Sequence, residues 1–211
     1  MSLVEVRLVV IAGPPTVQPN RLREACLAAE AGGATAVQVR WKNATARELV
    51  EITGTLVETL SIPVFVNDRA DVAWAAGAHG VHVGSDDVPA RAIRTCSPRQ
   101  VCIGVSVGDA TEARDAYRAE ADYWSVGPVF ATTTKPDAGP ALGPEGFRAL
   151  AALAPAGQTV IAIGGIDQAN AGEILEAGAQ GIAVSRAVFD GENVERATRA
   201  LRTAVDAALP G

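Results

Sequence analysis

The sequence predicts an α/β protein built as a single (β/α)8 TIM barrel over residues 1–211. Short segments rich in Val and Ile alternate eight times with Ala-, Leu- and Glu-rich segments of helical spacing. Such alternation is typical of a parallel sheet with its helices outside. The length is at the short end of the roughly 200 to 250 residues that these barrels need. No shift in composition marks a domain boundary, so one domain is expected.

The predicted elements follow one another in regular order. The eight predicted strands span residues 6–12, 34–40, 63–67, 80–83, 101–106, 123–126, 159–163 and 181–185. The eight predicted helices span residues 21–31, 46–60, 70–76, 90–95, 110–119, 145–154, 170–177 and 192–208. Three helices are followed by glycines that suit a left-handed C-cap, at Gly33, Gly77 and Gly178. The longest irregular segment, 127–144, follows the sixth strand, and long loops of this kind are often functional.

Composition and charge exclude several classes of protein. The net charge of −6 and the aromatic content of 4% argue against a nucleic-acid binder. The three cysteines, Cys26, Cys96 and Cys102, form neither a Cys-x-x-Cys motif nor an even set. This pattern favours a reduced, cytoplasmic protein. The first residues lack the features of a signal peptide, and no apolar run is long enough to span a membrane.

Charged side chains follow several of the predicted strands, at the barrel rim where enzymes of this fold place their chemistry. Arg40, Lys42 and Lys135 are cations on different loops and could together bind a diphosphate. Asp68 and Asp87 follow neighbouring strands. Two carboxylates beside a diphosphate site suit Mg²⁺, which shares oxygen ligands with substrate phosphates. Any one of these residues taken alone could equally be a solvated loop residue.

A second anion site is predicted after the last two strands. Gly164 and Gly165 follow the seventh strand, and Val184 and Ser185 end the eighth. The seventh and eighth loops of such barrels often bind phosphate through backbone N–H groups. A Gly-Gly pair by itself could also be an ordinary turn.

The remaining candidates favour structural roles. His79 and His82 are the two histidines, and His82 lies between valines within a strand, which favours a hydrogen-bonded structural residue. Cys102 is interpreted as a core residue rather than a nucleophile. Neither a Gly-x-Ser-x-Gly motif nor a Walker or dinucleotide-binding loop is present.

Several motifs carry a resemblance to a known family. They are Gln38-Val39-Arg40-Trp41-Lys42, Val66-Asn67-Asp68-Arg69-Ala70-Asp71, Gly80-Val81-His82-Val83-Gly84-Ser85-Asp86-Asp87, Gly104-Val105-Ser106, Gly127-Pro128-Val129-Phe130-Ala131-Thr132-Thr133-Thr134-Lys135 and Ala162-Ile163-Gly164-Gly165-Ile166. With these motifs the chain resembles the thiamine phosphate synthase family, also called thiamine-phosphate pyrophosphorylases. The resemblance covers nearly the whole chain, and the stretch from Gly127 to Lys135 is its most specific part.

The resemblance implies a reaction between a pyrimidine diphosphate and a thiazole phosphate that yields thiamine phosphate and diphosphate. It implies that the pyrimidine diphosphate is bound by Gln38, Arg40, Lys42, Asn67, Ser106 and Lys135. Of these, the expected catalytic residues are Arg40, Lys42, Ser106 and Lys135. The thiazole phosphate would be bound by Thr132, Thr134, Gly164, Val184 and Ser185. Thr133 and Gly165 are expected to bind substrate as well. Mg²⁺, the implied cofactor, would be held by Asp68 and Asp87.

The implied chemistry agrees with the charges. Diphosphate leaves a benzylic-type carbon, through a pyrimidine carbocation in this family, and cations stabilise the leaving anion. Trp41 stands where the family commonly has Glu, and Ser85 where it commonly has Gln. Neither departure removes a cation or a metal ligand, so both bear on substrate tolerance rather than on the class of reaction.

Three other functions are weighed against this one. A thiazole tautomerase has a similar barrel but needs no diphosphate site. A pentose-phosphate epimerase needs metal-binding histidines on separate strands, whereas both histidines here lie beside one strand. A non-catalytic sensor of phosphorylated ligands would bind without turnover. The expected partners are small-molecule substrates, with no nucleic acid and no membrane, and the sequence leaves the oligomeric state open.

Overall fold

Eight short apolar strands form a closed parallel barrel in this computed structural model, which describes residues 4–134 and 139–209. Each strand pairs with its neighbours in sequence, and the first pairs with the last. The strands are β1 (Leu8–Ala12), β2 (Ala36–Val39), β3 (Val64–Asn67), β4 (Gly80–Val83), β5 (Cys102–Val107), β6 (Tyr123–Val126), β7 (Thr159–Ile163) and β8 (Ile182–Val184). The predicted (β/α)8 barrel is confirmed, and the strand ends lie within two residues of their predicted positions.

The helices of the described residues cover the outside of the barrel. They are α1 (Leu22–Ala31), α2 (Ala46–Thr59), α3 (Ala70–Ala75), α4 (Ala90–Cys96), α5 (Ala110–Arg118), α6 (Gly143–Ala151), α7 (Ala171–Glu176), α8 (Arg186–Phe189) and α9 (Val194–Ala208). The prediction was wrong in two places. It missed α8, which has four residues and is too short for a helical period to be seen. It placed α6 at 145–154, whereas Pro144 lies in the first turn of the helix, a position that proline favours.

Local sequence signals fix several helix ends. Thr45 and Glu48 form a capping box that begins α2, and the Asp109 side chain accepts hydrogen bonds from the first turn of α5. The predicted glycine stops are confirmed, since Gly77 and Gly178 follow α3 and α7 with φ values of +71° and +105°. These caps set where each chain segment returns to the barrel.

Apolar side chains fill the barrel interior, among them Val9, Phe65, Tyr123 and Ile161. The tyrosine ring occupies the space that a side chain at Gly104 would need, since a Cβ there would lie 2.1 Å from Tyr123 Cζ. This packed layer closes the barrel below the carboxyl ends of the strands, where enzymes of this fold bind their ligands. Among the described residues, the structure contains no helix with the length and apolar character needed to cross a membrane.

Candidate active site

A cavity of about 1000 Å³ opens at the carboxyl ends of the strands. Its lining contains fourteen of the predicted site residues: Gln38, Arg40, Lys42, Asn67, Asp68, Asp87, Ser106, Thr132, Thr133, Thr134, Gly164, Gly165, Val184 and Ser185. The fifteenth, Lys135, lies outside the described residues. Closure of the barrel therefore brings together side chains that are almost 150 positions apart in the sequence. The roles of these residues remain predictions.

One side of the cavity, here called the charged side, consists of Arg40, Lys42, Asp68 and Asp87. Asp68 has φ of +65° directly after β3, a conformation that Asp tolerates better than most residues. Its carboxyl group lies within hydrogen-bonding reach of the Asp87 carboxyl group. Burial, that hydrogen bond and the charge of Asp87 raise the pKa of Asp68 to about 6, although Lys42 and Arg40 act in the opposite direction.

This carboxylate pair fits a divalent cation. Two carboxylates held close together repel each other, and a cation between them would remove that repulsion. A second contact fixes the orientation of the Asp87 carboxylate, because its Oδ2 accepts a hydrogen bond of 2.7 Å from the Gly84 N–H. No cluster of three or more His, Cys, Asp or Glu side chains suited to a metal exists within residues 4–134 and 139–209. The two carboxylates Asp68 and Asp87 suit Mg²⁺, because Mg²⁺ is often held by one or two carboxylates together with substrate phosphates.

Polar side chains form the floor of the cavity. Gln38 Nε2 donates to Asn67 Oδ1 at 2.9 Å, which links β2 to β3. His82 Nε2 lies 3.1 Å from Ser106 Oγ, so the histidine is hydrogen-bonded as expected. The hydroxyl of Ser125 is buried without a hydrogen-bond partner among the described residues, although Ser125 lines the cavity. A ligand on this floor would meet several hydrogen-bonding side chains.

The opposite side, here called the amide side, consists of Thr132–Thr134, Gly164, Gly165, Ser185 and the start of α8. Gly164 and Gly165 have φ of +98° and +65°, and a Cβ on Gly165 would lie 2.5 Å from the Ala131 carbonyl oxygen. Only glycine allows the backbone to come this close to the sixth loop. The Val188 and Phe189 N–H groups of α8 donate to the Ser185 carbonyl oxygen, which leaves the N–H groups of Arg186 and Ala187 to bind an anion.

Two details of the amide side modify the predictions from sequence. The Ser185 hydroxyl donates to the Ile11 carbonyl oxygen at 2.8 Å, so its proton is already used within the protein. Arg186, the first residue of α8, donates to the Thr133 hydroxyl and pairs with Asp190 at 2.6 Å. Arg186 is not among the residues predicted from the sequence, because no local sequence pattern indicates that its side chain contacts the sixth loop.

Trp41 and Cys102 both pack as apolar residues, as the sequence predicts for Cys102. Trp41 is partly buried against the outer core, although it lies between two cations in the sequence. Cys102 is buried in the barrel interior, and burial raises the pKa of its thiol to about 12. A thiol with so high a pKa is a poor nucleophile at neutral pH, which agrees with its interpretation as a core residue.

Fold and site together define a class: (β/α)8-barrel enzymes that bind phosphorylated small molecules at the carboxyl ends of their strands. A family model described as thiamine monophosphate synthase matches residues 8–188. The chain belongs to this family.

Individual relatives agree with the family model. A thiamine-phosphate synthase from Chloroflexus aurantiacus is 43% identical over 206 residues, covering 96% of this chain and 94% of the relative. One from Agrobacterium fabrum is 38% identical and covers 99% of this chain and 98% of the relative. The solved structure of a thiamine phosphate pyrophosphorylase from Pyrococcus furiosus superposes with a TM-score of 0.87 at 38% identity, with 97% of each chain covered. The similarity therefore extends over the whole barrel.

Proposed function

We propose that the protein catalyses the thiamine-phosphate synthase reaction. In it, 4-amino-5-hydroxymethyl-2-methylpyrimidine diphosphate and 4-methyl-5-(2-phosphooxyethyl)thiazole give thiamine phosphate and diphosphate. The observation that carries the proposal is that the charged side and the amide side face one cavity across a floor of hydrogen-bonding side chains. Such a cavity offers a separate place to each of two anionic groups. Membership of the family supports the same reaction.

Charge on the leaving group decides the role of the charged side. As the carbon–oxygen bond breaks, its electron pair stays with the diphosphate and the pyrimidine becomes a carbocation. Arg40 and Lys42 bind the diphosphate and stabilise the charge that develops on it. Asp68 and Asp87 would hold Mg²⁺, which when bound neutralises negative charge on the diphosphate. This assignment needs no nucleophilic side chain, because the thiazole nitrogen is the nucleophile.

The amide side and the floor position the two reactants. Gly164, Gly165 and the start of α8 bind the thiazole phosphate through backbone N–H groups, which hold a fixed geometry. Gln38, Asn67 and Ser106 bind the pyrimidine diphosphate from below. With both reactants in the same cavity, the carbocation forms beside the thiazole nitrogen, and this proximity favours reaction with that nitrogen over reaction with water.

The test is to incubate the purified protein with both substrates and Mg²⁺ and to measure thiamine phosphate by chromatography, with each substrate omitted in turn. Arg40→Ala should lower the rate strongly. Arg47→Ala, which removes an exposed cation on α2, should leave it unchanged. Binding of both substrates without product would contradict the proposal and favour a sensor. Conversion of the thiazole substrate alone into an isomer would favour a tautomerase.

A further inference from the structure

A chain of hydrogen bonds, here called the Tyr123–His82–Ser106 chain, connects the barrel interior to the cavity floor. The Tyr123 hydroxyl lies 2.9 Å from His82 Nδ1, and His82 Nε2 lies 3.1 Å from Ser106 Oγ. His82 and Tyr123 are 4% and 2% exposed. Ser106 and His82 line the cavity.

Packing fixes the position of the tyrosine. Its ring meets the edge of Phe65 with centroids 5.8 Å apart, and it fills the space above Gly104. Gly104 pairs with both His82 and Tyr123 in the strand register, so the three residues lie side by side across β4, β5 and β6. The tyrosine hydroxyl is therefore held against the histidine ring rather than being free to turn away.

The tyrosine decides which atom is the donor in each of these two hydrogen bonds. Burial raises the pKa of Tyr123 well above its ordinary value, so the phenol keeps its proton. Within the described part of the chain, the hydrogen bond that this hydroxyl makes is the one to His82. A buried O–H group that donates to nothing is costly, so the tyrosine donates to Nδ1. The histidine proton then lies on Nε2 and is donated to Ser106 Oγ.

We propose that Tyr123 and His82 are positioning residues that make Ser106 a hydrogen-bond donor toward the pyrimidine diphosphate. Because the Ser106 oxygen accepts from His82, its own proton is free to point into the cavity. Ser106 therefore binds an acceptor atom of the substrate and does not bind a donor group. This inference rests on the proposed function for the identity of the substrate, whereas the proton positions rest on the protein alone.

The proton positions can be measured without substrate. Nitrogen NMR of protein carrying ¹⁵N-labelled histidine should show the His82 proton on Nε2. His79 is the internal reference, because its Nδ1 accepts from the Val64 N–H at 3.1 Å and its proton is also expected on Nε2. A His79→Gln variant assigns the two rings. A neutral His82 ring with its proton on Nδ1 would overturn the inference.

A double-mutant cycle tests the effect on the reaction. Tyr123→Phe should lower kcat/KM for the pyrimidine diphosphate about tenfold, the scale of a misdirected hydrogen bond to a substrate group. It should leave the KM for the thiazole phosphate unchanged. In a Ser106→Ala background the same substitution should have no further effect, because the group through which it acts is gone.

The matched control is Ile161→Val, which removes one methylene group from the same interior layer without touching the chain. Its small effect should be equal in the wild-type and Ser106→Ala backgrounds. Equal effects of Tyr123→Phe in the two backgrounds would show a merely structural role and overturn the inference. If the wild-type protein forms no thiamine phosphate, the proposed function fails, and the NMR measurement still decides the proton positions.

Discussion

The two sides of the cavity offer anions different kinds of contact. The charged side consists of ionisable side chains, and burial together with Asp87 raises the pKa of one of them, Asp68, to about 6. The amide side consists largely of backbone and hydroxyl groups, held close by glycines in left-handed conformations. The first arrangement suits a group whose charge grows during the reaction and which then leaves. The second suits a phosphate that stays attached to its carrier and must be held in one place.

The largest expected effect is on the charged side. Asp87→Asn removes one of the two carboxylates while keeping the shape of the side chain. We expect kcat to fall roughly a hundredfold, the scale of losing one charge-stabilising element. Steady-state kinetics over a range of Mg²⁺ concentrations measures it. Asp115→Asn, which removes an exposed carboxylate on α5 outside the cavity lining, is the control and should stay active. Full activity of Asp87→Asn, or of the wild-type protein in EDTA, would contradict the metal assignment.

Substitution of Lys135 tests whether this residue of the sixth loop acts with the charged side or with the amide side. This residue lies outside the described residues, so the prediction comes from sequence alone. Lys135→Ala should lower kcat by tenfold or more, because an ammonium group that stabilises the leaving diphosphate acts mainly in the transition state. Affinity for the thiazole phosphate, measured by titration calorimetry, should stay the same. A tenfold loss of that affinity at unchanged kcat would place Lys135 with the amide side instead.

Gly165→Ala should damage the amide side selectively. The added Cβ would lie 2.5 Å from the Ala131 carbonyl oxygen at a φ of +65°, so the loop must shift. We expect the KM for the thiazole phosphate to rise about tenfold and the Tm to fall. Gly172→Ala in α7 is the matched control, since a Cβ there has no atom within 4 Å. It should leave the KM unchanged and should not lower the Tm, because alanine favours a helix more than glycine does. An equal rise in both substrates' KM values would argue against separate sites.

Arg186→Ala should have a smaller effect on the same side. It removes the hydrogen bond to Thr133 and the ion pair with Asp190, both at the surface. We expect a rise of about threefold in the KM for the thiazole phosphate with kcat unchanged. Arg199→Ala removes a comparable exposed ion pair with Glu195 on α9 and should change neither value. A large fall in kcat for Arg186→Ala would instead mean that Arg186 contacts the leaving group.

The mildest effect concerns stability without metal. The pKa of Asp68 is about 6 in the folded protein against an ordinary 3.8. Its contribution to stability is therefore full below pH 3.8 and is lost as the pH rises through about 6. In EDTA at neutral pH, Asp68→Asn should raise the Tm by a few degrees, and the gain should shrink as the pH falls below 6. Thermal melts across this pH range measure it, and a lower Tm for the variant at neutral pH would contradict the like-charge description of the pair.

The sequence was sufficient for the barrel and for the grouping of the site residues. Buried parallel strands have a strong compositional signal, and residues such as Arg40 and Asp68 follow those strands directly, so closure of the barrel brings them together. Other features depend on distances that no local pattern encodes. The four residues of α8 are too few to show a helical period. Thr133 lies 53 positions from its partner Arg186, and His82 lies 41 positions from Tyr123. The position of His82 between two valines predicts that it is hydrogen-bonded, but it does not predict that the partners are Tyr123 and Ser106.

The Tyr123 ring fills the space that a side chain at position 104 would need, and this limits how the two positions can change in evolution. Since the ring occupies the place of a side chain at position 104, the two positions cannot both be large. A lineage that enlarges residue 104 must first shrink residue 123, and it then loses the hydroxyl group beside His82. Substitutions at these two positions are therefore expected to arise in pairs and in a fixed order, with the loss at 123 preceding the gain at 104.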